Sequence, residues 1–105
     1  MYKLNVQGYH FAISSITTYE LLRGDNLDED RYWNAMFSAM KILPFDLKCA
    51  EQAAKIYKTL KRKGLLIEAE DLLIGATALS NSLKLVTTNI KHFERIQELE
   101  LLRFD

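Results

Sequence analysis

Three short stretches of this chain place polar side chains just after an apolar run or at the opening of a helix: Thr17 to Glu20, Asp71, and Thr88-Asn89. A fold that brings them together would form an anionic cleft from two carboxylates, an amide and threonine hydroxyls. Each member also has an ordinary structural reading. Thr17-x-x-Glu20 has the form of a capping box, in which hydroxyl and carboxylate satisfy the free N–H groups of a helix start. Asn89 is of a type that often caps helices, and Thr88 is a common strand residue. Asp71 carries more information. Ile67, Ile74, Gly75 and Ala78 fall on its side of a helical wheel, so its carboxylate sits in an apolar face and needs a partner there. With Glu68 and Glu70 it also makes an acidic first turn of the kind a helix dipole favours.

Other chemistries lack their residues. Ser14 and Ser15 have no flanking glycines to form a nucleophile elbow, and no glycine-rich phosphate loop occurs. His10 and His92 have no second histidine or cysteine at zinc-ligand spacing, and both read as packed or solvent-facing side chains.

The elements that must position these groups alternate along the chain. Phe11 to Ser14 reads as a strand, Thr17 to Arg23 as a helix stopped by Gly24, and Leu27 to Met40 as a second helix. The Tyr32, Trp33 and Phe37 side chains of that second helix could make an apolar surface for a partner, although by general tendency such aromatics belong in a core more often than at an interface. Lys41 to Pro44 has strand character, which Pro44 confines to an edge or to the residue before a turn. Asp46 can cap a helix from Leu47 to Lys63, with Ala50, Ala53, Ala54, Tyr57 and Leu60 on one face and Lys48, Lys55, Lys58 and Arg62 on the other. Gly64 ends it.

Ala69 to Ser80 is apolar almost all round, which suits a helix packed between a sheet and another helix, with Asn81 or Ser82 ending it. Lys84 to Thr88 is a strand, Asn89 opens a short helix through Phe93, and Leu99 to Phe104 is a final extended segment. The alternation predicts a mainly parallel sheet with helices on both faces and a ligand site beyond the carboxyl ends of its strands.

Composition narrows the classes. With 105 residues and 49% hydrophobic content, the chain suits a single domain over residues 1–105 whose core needs no covalent or metal staple. Cys49 is the only cysteine, so no internal disulfide forms, and a reducing, cytoplasmic setting is expected. No apolar run reaches membrane-spanning length and the start lacks signal-peptide order, so no membrane association is expected. Fourteen basic and fourteen acidic residues cancel, which excludes a nucleic-acid binder working by net charge alone. The signs are nonetheless segregated. Asp25, Asp28, Glu29 and Asp30 cluster early, and Lys55, Lys58, Lys61, Arg62 and Lys63 cluster mid-chain as either a solvated face or a hold on a phosphate backbone.

Taken together, Phe11-Ala12-Ile13-Ser14-Ser15-Ile16-Thr17-Thr18-Tyr19-Glu20-Leu21-Leu22-Arg23-Gly24, Ile67 to Ala78 around Asp71, and Leu85 to Ile96 around Thr87-Thr88-Asn89 resemble, in order and spacing, three motifs of the PIN-domain family and its VapC-type toxin ribonucleases. The resemblance runs from about Gly8 onward. It implies a three-layer α/β PIN-like fold with a short parallel sheet flanked by helices, N-terminally truncated so that the family's first strand and first helix are missing. It implies a metal-dependent endoribonuclease of a toxin-antitoxin system, with Glu20 and Asp71 as ligands of Mg2+ or Mn2+ and Glu20, Asp71 and Asn89 as catalytic residues. Thr17, Thr88 and His92 would be accessory, and the partners would be an RNA substrate, a cognate antitoxin and a second copy of the chain.

Two departures go with it. No aspartate precedes the first motif, where the family carries its first acid, and the segment Met1 to His10 reads as the end of a preceding helix. His92 stands where the family commonly has its last acid. The alternative they define is a catalytically inactive PIN-like module that binds an antitoxin or another chain.

Overall fold

A computed structural model describes residues 2–5, 10–24 and 26–102. The elements run β1 (Tyr2–Asn5), β2 (His10–Ser14), α1 (Ser15–Leu22), α2 (Leu27–Phe37), β3 (Lys41–Leu43), α3 (Leu47–Lys63), α4 (Ala69–Ser80), β4 (Lys84–Val86), α5 (Ile90–Phe93) and β5 (Leu101–Leu102). The strands form one sheet in the order β3-β2-β1-β4-β5. The pairs β2–β3 and β4–β5 are parallel, in register Ile13 to Ile42 and Leu85 to Leu101. Pro44 follows β3 at the sheet edge, as its missing N–H requires.

The start of the chain corrects one expectation. Tyr2–Asn5 is a strand and not the end of a helix, and His10 already belongs to β2. β1 lies antiparallel between β2 and β4, with Lys3 opposite both Ala12 and Leu85. The sheet is therefore mixed, with its central place filled from the first residues. Without β1, the inward edges of β2 and β4 would lack backbone partners, and buried N–H and C=O groups must be paired. The imidazole of His10, Asp25, and residues 103–104 of the expected last strand lie outside the described residues.

Helix α4 packs against β2 and β4 and against α3, the intermediate position its all-round apolar sequence predicts. The core gathers Ala53, Ile56 and Leu60 of α3, Leu72, Ile74, Ala76 and Ala78 of α4, Leu85 of β4, and Phe93, Ile96 and Leu99 beyond it. Gly75 permits the closest of these approaches, because a Cβ there would stand 2.6 Å from Ile96 Cδ1. The buried stripe of α3 is Cys49, Ala53, Ile56 and Leu60, turned from the expected face, so Ala54 and Tyr57 are exposed. The lysines on the opposite side remain in solvent.

Helix ends follow local chemistry. Asp46 Oδ1 accepts the Cys49 N–H and starts α3, and Gly64 ends it with a left-handed φ of 69°. A Cβ at Gly64 would meet nothing, so Gly64→Ala carries only the conformational penalty of that region. We expect a loss of about 1 kcal/mol, read from the midpoint of urea unfolding. An unchanged midpoint would show that the turn relaxes.

Helix α2 departs from expectation. It buries no residue: Tyr32 is 60% exposed, and Trp33 and Phe37 are half-buried. Their rings contact one another, Trp33 against Tyr32 edge-on at 5.1 Å and stacked on Phe37 at 6.4 Å. The aromatics thus form a surface ridge and not a core. Among the described residues, no helix is long and apolar enough to cross a membrane.

Candidate active site

The parallel ladder of β2 delivers the first acid. Ser14 ends β2 and caps α1, its Oγ accepting the Thr17 N–H at 3.0 Å and lying 3.1 Å from the Thr17 hydroxyl. The capping box expected at Thr17 and Glu20 is therefore displaced by one turn. Thr17 is buried as part of that cap, and Glu20 is released from capping.

Glu20 instead faces the start of α4. Burial chiefly raises its pKa above the ordinary carboxyl value; Glu70, within hydrogen-bonding reach and of like charge, and Asp71 push it further up, while Arg23 pulls it down. Arg23 follows α1 directly and donates from Nη1 to both Glu70 oxygens, at 3.0 and 3.3 Å. Three carboxyl groups from two helices thus share one region. Neither Glu70 nor Arg23 stood out in the sequence, because a contact across 47 residues leaves no mark in local spacing.

Asp71 lies in the first turn of α4 and is only 6% exposed. The partner its burial demands comes from the segment after β4. Asn89 Nδ2 donates to Asp71 Oδ2 at 3.0 Å, and His92 Nδ1 stands 3.0 Å from the same oxygen and 2.8 Å from Asn89 Nδ2. The imidazole contact to Asp71 is a hydrogen bond when Nδ1 carries the proton, and the contact to Asn89 is one when it does not. Asn89 holds the N-cap position of α5 but makes no side-chain capping bond, so the capping role expected of it passes to Asp71's service. The backbone N–H of Asn89 donates to Thr87 Oγ1 at 2.9 Å, which shapes the turn that aims the amide. Thr88 is exposed, and among the described residues its hydroxyl joins none of these bonds.

The donor set is one of hard oxygens, the type that divalent magnesium and manganese prefer, and the like-charged Glu70 and Asp71 add to the burial that raises the Glu20 pKa. Among the described residues no group of three or more His, Cys, Asp and Glu side chains is arranged to hold a metal. Glu20 and Asp71 offer two carboxylates, which suits magnesium, an ion that keeps several waters and takes few protein ligands.

The Glu20–Glu70 coupling makes a prediction in metal-free buffer. Glu70→Gln brings the Glu20 pKa down, and Arg23→Met raises it, as read by carboxyl 13C titration. The folded state holds the Glu20 proton more tightly than the unfolded chain, so this group's contribution to stability falls as pH rises from the ordinary Glu value through the raised one. Glu20→Gln flattens that part of the stability curve. Identical Glu20 titrations in the wild type and Glu70→Gln would break the coupling.

Comparison with known proteins agrees with this architecture. The PIN domain family matches residues 3–99, a stretch that starts before Gly8 and takes in all of β1 but Tyr2. The ribonuclease VapC1 of Methanocaldococcus jannaschii is 37% identical over 95 residues, covering 90% of this chain and 70% of that protein. Among solved structures, VapBC2 from Rickettsia felis bound to a DNA fragment from its promoter superposes with a TM-score of 0.75 at 34% identity, covering 90% of this chain and 74% of that one. VapBC-1 from nontypeable Haemophilus influenzae gives a TM-score of 0.79 at 30% identity, covering 85% and 70%. With its sheet order, its motifs and these matches in agreement, the chain belongs to the PIN-domain family, among the VapC-type proteins.

Proposed function

We propose that this chain is a metal-dependent endoribonuclease, the toxin of a toxin-antitoxin pair, hydrolysing phosphodiester bonds of RNA. The observation that carries the reading is the buried Asp71 carboxylate, held by Asn89 and His92 and electrostatically coupled to Glu20. A relative at 37% identity that bears the name ribonuclease supports it.

Glu20 and Asp71 would hold magnesium or manganese. When bound, such an ion lowers the pKa of water at the site and offsets charge on the departing 3′ oxygen. The chain's own residues do the rest. Asn89 fixes the Asp71 carboxylate in one orientation by its amide N–H. His92, its Nδ1 3.0 Å from the same carboxylate oxygen, braces it from a second side. The Arg23–Glu70 pair ties the end of α1 to the start of α4 and so sets where Glu20 stands.

We assign the exposed α2 ridge of Tyr32, Trp33 and Phe37 to an antitoxin, since the structural relatives were solved as VapBC complexes. A homodimer, a cytoplasmic setting and a single domain over the whole chain belong to the same proposal. The second reading, an inactive module that only binds a partner, is favoured by one observation: no three-ligand group exists among the described residues.

One experiment decides between them. Purified protein is incubated with total RNA in magnesium, manganese or EDTA, beside the Asp71→Asn variant. Cleavage that requires the metal and Asp71 supports the nuclease. Folded protein that leaves RNA intact under every condition supports the module.

A further inference from the structure

The chain carries no net charge, yet one concave surface is strongly one-signed. A cleft of about 460 Å³ opens between the outer face of α3 and the segment that follows α5. Lys55, Lys58, Arg62 and Lys63 line one wall, Arg95 the other, and Glu98 is its single acid. Among the described residues no carboxylate pairs with Lys55, Lys58, Arg62 or Lys63. Unpaired ammonium groups along a groove concentrate positive potential that a polyanion neutralises with release of its counterions.

The second wall links this cleft to the acidic site. Arg95 lies three residues beyond His92, and its Nη1 donates to the carbonyls of Leu65 and Leu66 at 3.4 and 3.1 Å. Those carbonyls belong to the loop leading into α4, whose first turn bears Asp71. One short segment therefore contributes His92 to the acidic site and Arg95 to the cleft, and fixes the two relative to each other. The loop and α3 are rigidly joined there, since Leu65 N–H donates to Leu60 O at 2.9 Å. The lysine face is thus a wall of a groove tied to the acidic site through Arg95 and the loop into α4, and more than the solvated side of an amphipathic helix.

We propose that this cleft is a phosphate-backbone site for single-stranded RNA, holding the strand beside the bond to be cut. It deepens the nuclease reading, and rests on it for the position of the scissile bond. Contacts to phosphate carry no sequence information, so the groove supplies affinity and register, not base choice.

The test measures binding of a labelled single-stranded RNA by fluorescence polarisation in EDTA, across a salt series. Lys55, Lys58 and Lys63 are replaced together by Gln, and the control replaces Arg31, Lys41 and Lys61, exposed cations outside the cleft. The cleft variant should lose roughly tenfold in affinity, with a log–log salt slope shallower by about 2, because each lost contact to a single strand removes about 0.7. The control should stay within about twofold of wild type. Circular dichroism checks that each variant is folded. Equal losses in both variants, or wild-type affinity in the cleft variant, would overturn the proposal. Tighter binding of duplex DNA than of RNA would overturn the ligand assignment. A protein that binds RNA through the cleft but never cleaves it would refute the nuclease reading and leave the groove standing, whereas active cleavage with no effect of the lysines would do the reverse.

Discussion

Asp71→Asn is expected to lower metal-dependent RNA cleavage at least a hundredfold, about 2.7 kcal/mol of transition-state stabilisation. The carboxylate is nearly inaccessible, opens α4, and receives an amide N–H from Asn89, so its position is set before any ligand arrives. Asparagine keeps the size and can still bond Asn89 and His92, but it removes the negative charge that would attract a divalent cation. The stability of the variant should change little, because Glu20 loses a like-charged neighbour while His92 loses a charged partner. Cleavage rates with magnesium and a thermal melt of the same samples separate the two effects. Near-wild-type turnover in Asp71→Asn would remove Asp71 from the chemistry.

Phe93→Ala is expected to cost about 3–5 kcal/mol, a large part of the 5–15 kcal/mol that holds a domain of this kind together. Phe93 is fully buried and ends α5, packed in the same cluster as Ile74 and Ile96. Truncation leaves a cavity beneath the helix that carries Asn89 at its start and His92 beside it. The melting temperature should fall steeply, and the remaining folded protein should lose order at the Asn89 and His92 resonances before the rest of the chain. A melting temperature close to wild type would show that Ile96 and Leu99 collapse into the space. Phe93→Leu, which retains most of the volume, should recover most of the stability.

Much of the fold could be read from apolar periodicity. The all-round apolar run of Ala69–Ser80 has few places to go except between a sheet and a helix, and it goes there. Asp46, Gly64 and Pro44 mark their boundaries because each acts through its own backbone or side chain, with no help from distant residues. Tyr2–Asn5 is a different case: its residues alternate apolar and polar, Tyr2 and Leu4 against Lys3 and Asn5, a strand period that the reading as a helix end passes over. The misplaced cap has a non-local cause. Ser14, Ser15, Thr17 and Thr18 all have capping chemistry, and which one caps depends on where β2 stops, a matter of pairing with β3.

The same holds at the acidic site. The apolar wheel around Asp71 announces that a partner must exist, but not that Asn89 and His92 supply it. Glu70 reads only as a first-turn acid for a related reason. Its significance is its distance from Glu20 and Arg23, and that is set by how α1 lies across α4. The aromatic ridge of α2 fails in the other direction, since Trp, Tyr and Phe tend toward cores and here they stand half-buried or exposed on a helix that buries no residue.

β1 runs against both of its neighbours, so the sheet consists of two parallel half-ladders stitched by the first strand, which pairs locally with β2 and at long range with β4. Each half-ladder closes within its own stretch of sequence, whereas Tyr2 must find Val86 across nearly the whole polypeptide. Entropy of loop closure grows with the length enclosed, and such long-range pairings slow folding. The seam between β1 and β4 is therefore the slow pairing, and α4, which packs on both β2 and β4, holds the two half-ladders side by side across it.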